Sequence, residues 1–121
     1  MGSRPLSLED EVANARSHLA RLLNRYSAHL AEQGLISQAV AVSTEAVDMS
    51  RKLHDRDASR YAAELASALS VMGARLHEVG RRKEALAAAR ESLALIAASN
   101  EVTQSDADAL WTVPDLVDTW S

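Results

Sequence analysis

Between Pro5 and Pro114 the chain never meets a proline, and that uninterrupted span is rich in alanine and leucine. A proline inside a helix removes a backbone donor and clashes with the preceding turn, so its absence over so long a stretch leaves long helices open to the chain. Alanine and leucine are strong helix formers, while the aromatic and β-branched residues that favour strands are sparse, aromatics making up 3%. The expected class is all-α. At 121 residues, the chain has the size of one domain and can bury a modest core without staples. It has no cysteine, which excludes disulfides, thiolate metal sites and thiol nucleophiles. Its longest apolar runs, 85–89 and 93–98, fall far short of the roughly 18 residues needed to cross a bilayer. Residues 1–8 lack the basic-then-apolar order of a secretory signal, so a cytoplasmic setting with no membrane partner is expected.

Punctuation sets the helix limits. Ser7 stands before Leu8, Glu9, Asp10 and Glu11, a capping hydroxyl followed by acids that suit the positive end of a helix dipole. This predicts a first helix over 8–33, closed by Gly34, and a second over 35–53 that stops at the polar run His54, Asp55, Arg56 and Asp57. Asp57 or Ser59 can cap a third helix running to Val79. Gly80 closes it, and a fourth follows over 81–98. On a helical wheel the first helix gathers Leu8, Val12, Ala15, Leu19, Leu22, Leu23, Tyr26 and Leu30 into an apolar stripe, the expected core face. Its opposite face carries Asp10, Asn14, Ser17, Arg21, Asn24, Arg25 and Glu32. The third helix has a stripe of Tyr61, Leu65, Leu69, Met72, Leu76 and Val79. Its back, however, is small and nearly uncharged: Ala63, Ser67, Ser70, Val71 and Ala74. A helix that is apolar or small nearly all round is normally covered on both sides, so something is expected to lie against that back.

Gly34 and Gly80 stand 46 residues apart, and the chain laid on itself at that offset repeats. Leu19 falls on Leu65, Ala20 on Ala66, Leu23 on Leu69, Ala28 on Ala74, Leu30 on Leu76, Ala39 on Ala85 and Glu45 on Glu91. Each unit is one helical hairpin. The positions Leu23, Tyr26, Ser27, Leu30, Gly34, Ala39, Ser43 and Ala46, and then Leu69, Met72, Gly73, Leu76, Gly80, Ala85, Ala89 and Ser92, resemble the tetratricopeptide repeat family. Small residues at Ser27, Ala39, Gly73 and Ala85 would let paired backbones approach, with leucines filling the space between hairpins. The resemblance covers residues 12–98. The period exceeds the family's usual ~34, which lengthens the helices by about three turns in all. The large aromatic of the second helix is Ser43 or Ala89 here, and the terminal proline is missing.

The resulting expectation is a single domain, 1–121, of antiparallel hairpins stacked as a short superhelix: 7–54, 57–99, and a C-terminal capping segment over 100–121 with short helical pieces. That last segment is acidic. All 13 Lys/Arg precede residue 91, whereas Glu91 and everything after it supply six acids and no base. It also holds Trp111, Leu116 and Trp120, an aromatic and acidic combination suited to docking on the hairpins of its own or a neighbouring molecule.

Catalytic signatures are weak. His18, His29, His54 and His77 lack metal-ligand spacing. The acids at 9–11 sit where they complement a helix dipole. Arg81, Arg82 and Lys83 are flanked by Glu78 and Glu84 in a chain of pI about 5.5, which argues against nucleic acid. A histidine phosphotransfer bundle is a remote alternative centred on His29, but Glu32 places negative charge one turn away, where it would repel phosphate. The expected function is non-catalytic, without cofactor or metal: a protein-interaction module taking a peptide or helix. By the resemblance, contacts come from the first helix of each repeat, here Arg21, Asn24, Arg25 and Ala28, then Ser67, Ser70, Val71, Ala74 and His77. The alternative is a homo-oligomerisation or structural unit, a homodimer or a fragment of a longer array. Two repeats are fewer than such stacks usually need, and the end helices would keep uncovered apolar faces.

Overall fold

The computed structural model of the chain describes residues 7–100, and every element in that span is α-helical. The helices are α1 (Leu8–Glu32), α2 (Ile36–Arg56), α3 (Ala58–Glu78) and α4 (Arg82–Asn100). The acidic segment with Trp111, Leu116 and Trp120 lies outside the described residues. None of the helices is long and apolar enough to cross a membrane.

Helix starts follow the capping chemistry. The Asp10 N–H donates to the Ser7 hydroxyl at 3.1 Å, and the Arg60 N–H donates to Asp57 Oδ1 at 3.2 Å. Ser59 does not cap α3 but donates its hydroxyl to the same Asp57 oxygen. α2 runs to Arg56, three residues past Leu53, because polar side chains do not by themselves stop a helix. It ends only where Asp57 leaves helical geometry to cap α3.

The two hairpin turns are one motif used twice. Gly34 and Gly80 both sit at φ +82°, the left-handed conformation that residues with a Cβ resist. After α1, the Leu35 N–H returns to the Leu30 carbonyl (2.9 Å) and the Gly34 N–H to Ala31 (3.0 Å). After α3, Arg81 returns to Leu76 (3.0 Å) and Gly80 to His77 (3.0 Å). These are the paired bonds of a Schellman cap, repeated at the 46-residue offset.

Each turn folds its helices antiparallel, with small residues where they touch. In the first hairpin, the buried Ser27 hydroxyl donates to the Ala39 carbonyl at 2.9 Å. At the equivalent place in the second, a Cβ on Gly73 would stand 3.4 Å from the Ala85 carbonyl oxygen. Farther from that turn, the buried Ser92 hydroxyl donates to the Ala66 carbonyl at 2.8 Å; the equivalent positions in the first hairpin are the buried Ala46 and Ala20.

The hairpins meet through α2 and α3. Val47 packs with Leu65, Ala68, Leu69 and Ala88, and Val40 packs with Leu76 and Ala85. Met72 bridges both groups. Near the other end of α2, Leu53 joins Ala13 and Tyr61. Polar contacts tie the rim: Arg60 donates to Asn14 Oδ1 (3.2 Å) and the Ser17 hydroxyl to Glu64. Arg51 pairs with Glu91, linking α2 to α4.

The stripe expected on α3 is largely confirmed, with Tyr61, Leu65, Leu69 and Leu76 buried and Met72 half-buried; Val79, at the helix end, is exposed. The stripe expected on α1 is not. α1 buries Ala13, Ser17, Ala20, Ser27 and Leu30, while Leu8, Val12, Leu19, Leu22 and Tyr26 are exposed and Leu23 is half-buried. The cause is positional: α1 begins the stack, α2 and α3 both lie on its small-residue side, and no described element lies on the large one.

The glycines separate two physical roles. Gly34→Ala and Gly80→Ala each place a Cβ at positive φ in otherwise open space, and each should lower stability by about 1 kcal/mol. Gly73→Ala, in a helix interior with room for ordinary contact at 3.4 Å, should raise stability by about 0.5–1 kcal/mol. Urea unfolding followed by circular dichroism measures all three.

Candidate functional site

α4 is attached to the rest of the molecule along one narrow edge. Only Ala85, Ala88 and Ser92 are buried among its described side chains, with Glu91 and Leu95 half-buried. On the side facing along α3 it leaves Leu86, Ala89, Leu93 and Ile96 exposed at helical spacing, Leu93 at 66% and Leu86 at 50%. These residues form one wall of a groove of about 640 Å³. Ser70, Ala74 and His77 of α3 form the opposite wall, and the buried Gly73, Ala85 and Ser92 form the floor. The groove exists because its floor is small: glycine and alanine let the two helices approach until the larger side chains splay outward.

Its lining is mainly apolar, with His77 and Arg82 toward the α3–α4 turn. Such a surface can bury an apolar helical stripe and offer polar contacts at one end. It contains no pairing of nucleophile and base, and among the described residues no group of three or more His, Asp or Glu could hold a metal ion.

The residues anticipated from sequence divide between two places. Ser70, Ala74 and His77 form the α3 wall of the groove. Ser67 and Val71 continue it through a shallower depression shared with Ser92 and Ile96. Of the α1 set, Arg21 meets Ser67 in a small depression with Ala20 and Ser50. Arg25 and Ala28 are exposed, and Asn24 is half-buried with its Oδ1 enclosed and lacking a hydrogen-bond partner. Arg21 also borders a polar cleft between α1 and α3 with Asn14, Ser17, Arg60, Tyr61 and Glu64, where the Arg60 guanidinium lies 5.2 Å from the Tyr61 ring centre.

The α4 wall was not anticipated. The signal for it lay in the internal repeat: Leu86, Ala89, Leu93 and Ile96 stand 46 residues after Val40, Ser43, Val47 and Ser50. Those four α2 residues are all buried, with α3 lying on them through Val40 and Val47. The groove beside α4 is thus the counterpart of a surface that is covered in the first hairpin. No protein-family model, curated protein or solved structure matches the chain.

The charges that fix α4 sit on its other side. Arg51 forks onto Glu91 through two guanidinium nitrogens, the longer contact being 3.2 Å. The hydrogen bond from Arg51 holds the Glu91 carboxyl below its ordinary range, opposed by partial burial. A carboxyl whose folded pKa is depressed stabilises above its unfolded pKa and loses that contribution as pH falls through the folded value. Wild type should therefore lose stability below about pH 4.5 more steeply than Glu91→Gln. At pH 7 the two should differ by no more than about 1 kcal/mol, since both partners are more than a third exposed. Melting temperatures from pH 7 to pH 3 test this.

Proposed function

We propose that this chain is a non-catalytic protein-interaction module of the tetratricopeptide-like kind its sequence resembles, and that it takes an amphipathic helix into the groove between α3 and α4. One observation carries the reading. The register-equivalent surface of the first hairpin is occupied by a helix, α3, and the second hairpin offers the same surface with larger apolar residues and nothing described on it. Val40 and Val47 become Leu86 and Leu93, and Ser50 becomes Ile96, so the open copy presents more apolar side chain to a ligand. Ser70, Ala74 and His77 then serve as the α3 side of the binding face, in line with the first-helix contacts of the resemblance.

The test uses a labelled peptide spanning residues 58–78, the segment that lies on the equivalent surface inside the chain, titrated onto the full chain by fluorescence anisotropy. Saturable binding is expected. Leu93→Glu, which places a carboxylate in the apolar wall, should weaken it by about tenfold or more, whereas Glu11→Gln on α1 should leave it unchanged. Absence of binding, or equal loss with both variants, overturns the reading.

A further inference from the structure

We infer that the helix received by the groove is α1 of a second copy of this chain, so that copies join head to tail. This rests on the groove reading above and names its occupant. Within the chain, α2 offers Val40 and Val47, and α3 covers them with Leu65, Ala68, Leu69, Met72 and Leu76. Shifted forward by 46 residues, the receiving pair becomes Leu86 and Leu93 on α4. Shifted back by the same amount, the inserting set becomes Leu19, Leu22, Leu23, Tyr26 and Leu30 on α1.

The exposures divide along the same line. Val40 and Val47 are 8% and 3% exposed, but Leu86 and Leu93 are 50% and 66%. Leu65 and Ala68 are 1% and 0% exposed, but Leu19 and Leu22 are 44% and 43%, with Tyr26 at 52%; Leu23 is half-buried and Leu30 already buried within their own hairpin, so Leu19, Leu22 and Tyr26 are the ones left to insert. The two faces that no described element covers are therefore the two halves of an interface the chain already builds once internally.

Secondary contacts transfer with it. The Thr44 hydroxyl meets the Met72 sulfur at 3.8 Å; the equivalent positions are Arg90 and Tyr26, a guanidinium against an aromatic ring. Arg60 and Asn14, hydrogen-bonded within the chain, stand 46 residues apart, so one copy's Arg60 comes opposite the second copy's Asn14.

A second copy also accounts for both faces at once. A foreign helix, or residues 101–121 folded back, would fill the groove and leave the α1 stripe uncovered. The two faces differ, so the contact is heterologous; each addition leaves one inserting and one receiving face free, and the assembly grows.

The experiment measures the mass of the full chain by sedimentation equilibrium across a wide concentration range. It includes Leu22→Glu to disable the inserting face and Leu93→Glu to disable the receiving one, with helicity and melting checked for each. Leu19→Glu and Leu86→Glu, also at exposed positions, replace either variant that fails to fold. Wild-type mass is expected to climb beyond two chains. Each variant alone should remain one chain, and their equimolar mixture should form a two-chain complex that does not grow. The inference is overturned by a wild type that stays monomeric, by a closed dimer, by a mixture that forms no complex, or by assembly that appears only after residues 101–121 are deleted. If the peptide of residues 58–78 still binds in those cases, the groove reading stands and only its occupant is wrong.

Discussion

The fold depends on how closely its paired helices approach. Ser27 over Ala39, Gly73 over Ala85 and Ala66 beside Ser92, with the buried Ala20 and Ala46 at the positions equivalent to the last pair, leave little side chain between the backbones of each hairpin. Interiors of proteins are packed nearly as densely as organic crystals, so a seam built from such residues fixes the helix spacing closely. The two buried serines extend this by donating to carbonyls of the facing helix, which satisfies their hydroxyls inside the seam. With the seams made of small residues, the large ones are displaced to the flanks. There Leu65, Leu69 and Leu76 become the contact between hairpins, and Leu86 and Leu93 become an open wall.

Much of this was legible in the sequence because it depends on local chemistry. A serine or aspartate ahead of a helix and a glycine behind it act within a few residues, and Ser7, Asp57, Gly34 and Gly80 act in the structure as they read in the chain. The offset between the glycines was legible too, and the paired turn hydrogen bonds repeat at the same distance. The direction of α1 was not. A helical wheel shows that Leu19, Leu22 and Tyr26 share a face, but a stripe records only that the face favours cover. It does not say whether the covering element belongs to the same molecule. In α3 that element is α2; for α1 none is described.

The same limit explains the site. Ser70 and Ala74 of α3 drew notice because a helix without a charged face is unusual, and His77 through the resemblance; all three do form one wall of the groove. The α4 wall escaped because the resemblance placed contacts on the first helix of each repeat, and α4 is the second helix of its hairpin. Only comparison with Val40, Val47 and Ser50, buried at the same register, shows that the core Leu86, Leu93 and Ile96 belong to is one more element away.

A stacked array has no internal device for ending itself. Each hairpin is completed by the next, so any finite number of hairpins leaves one inserting face and one receiving face, and those faces are complementary because repetition made them so. Ends of arrays are ordinarily made polar. Here the outermost described helices carry leucines, and larger apolar groups than the interior positions they mirror: leucine for valine at 86 and 93, isoleucine for serine at 96, and leucine for alanine at 22. Apolar enlargement on both faces increases the area a covering element would bury on each side, which is the sense the proposed contact between copies requires.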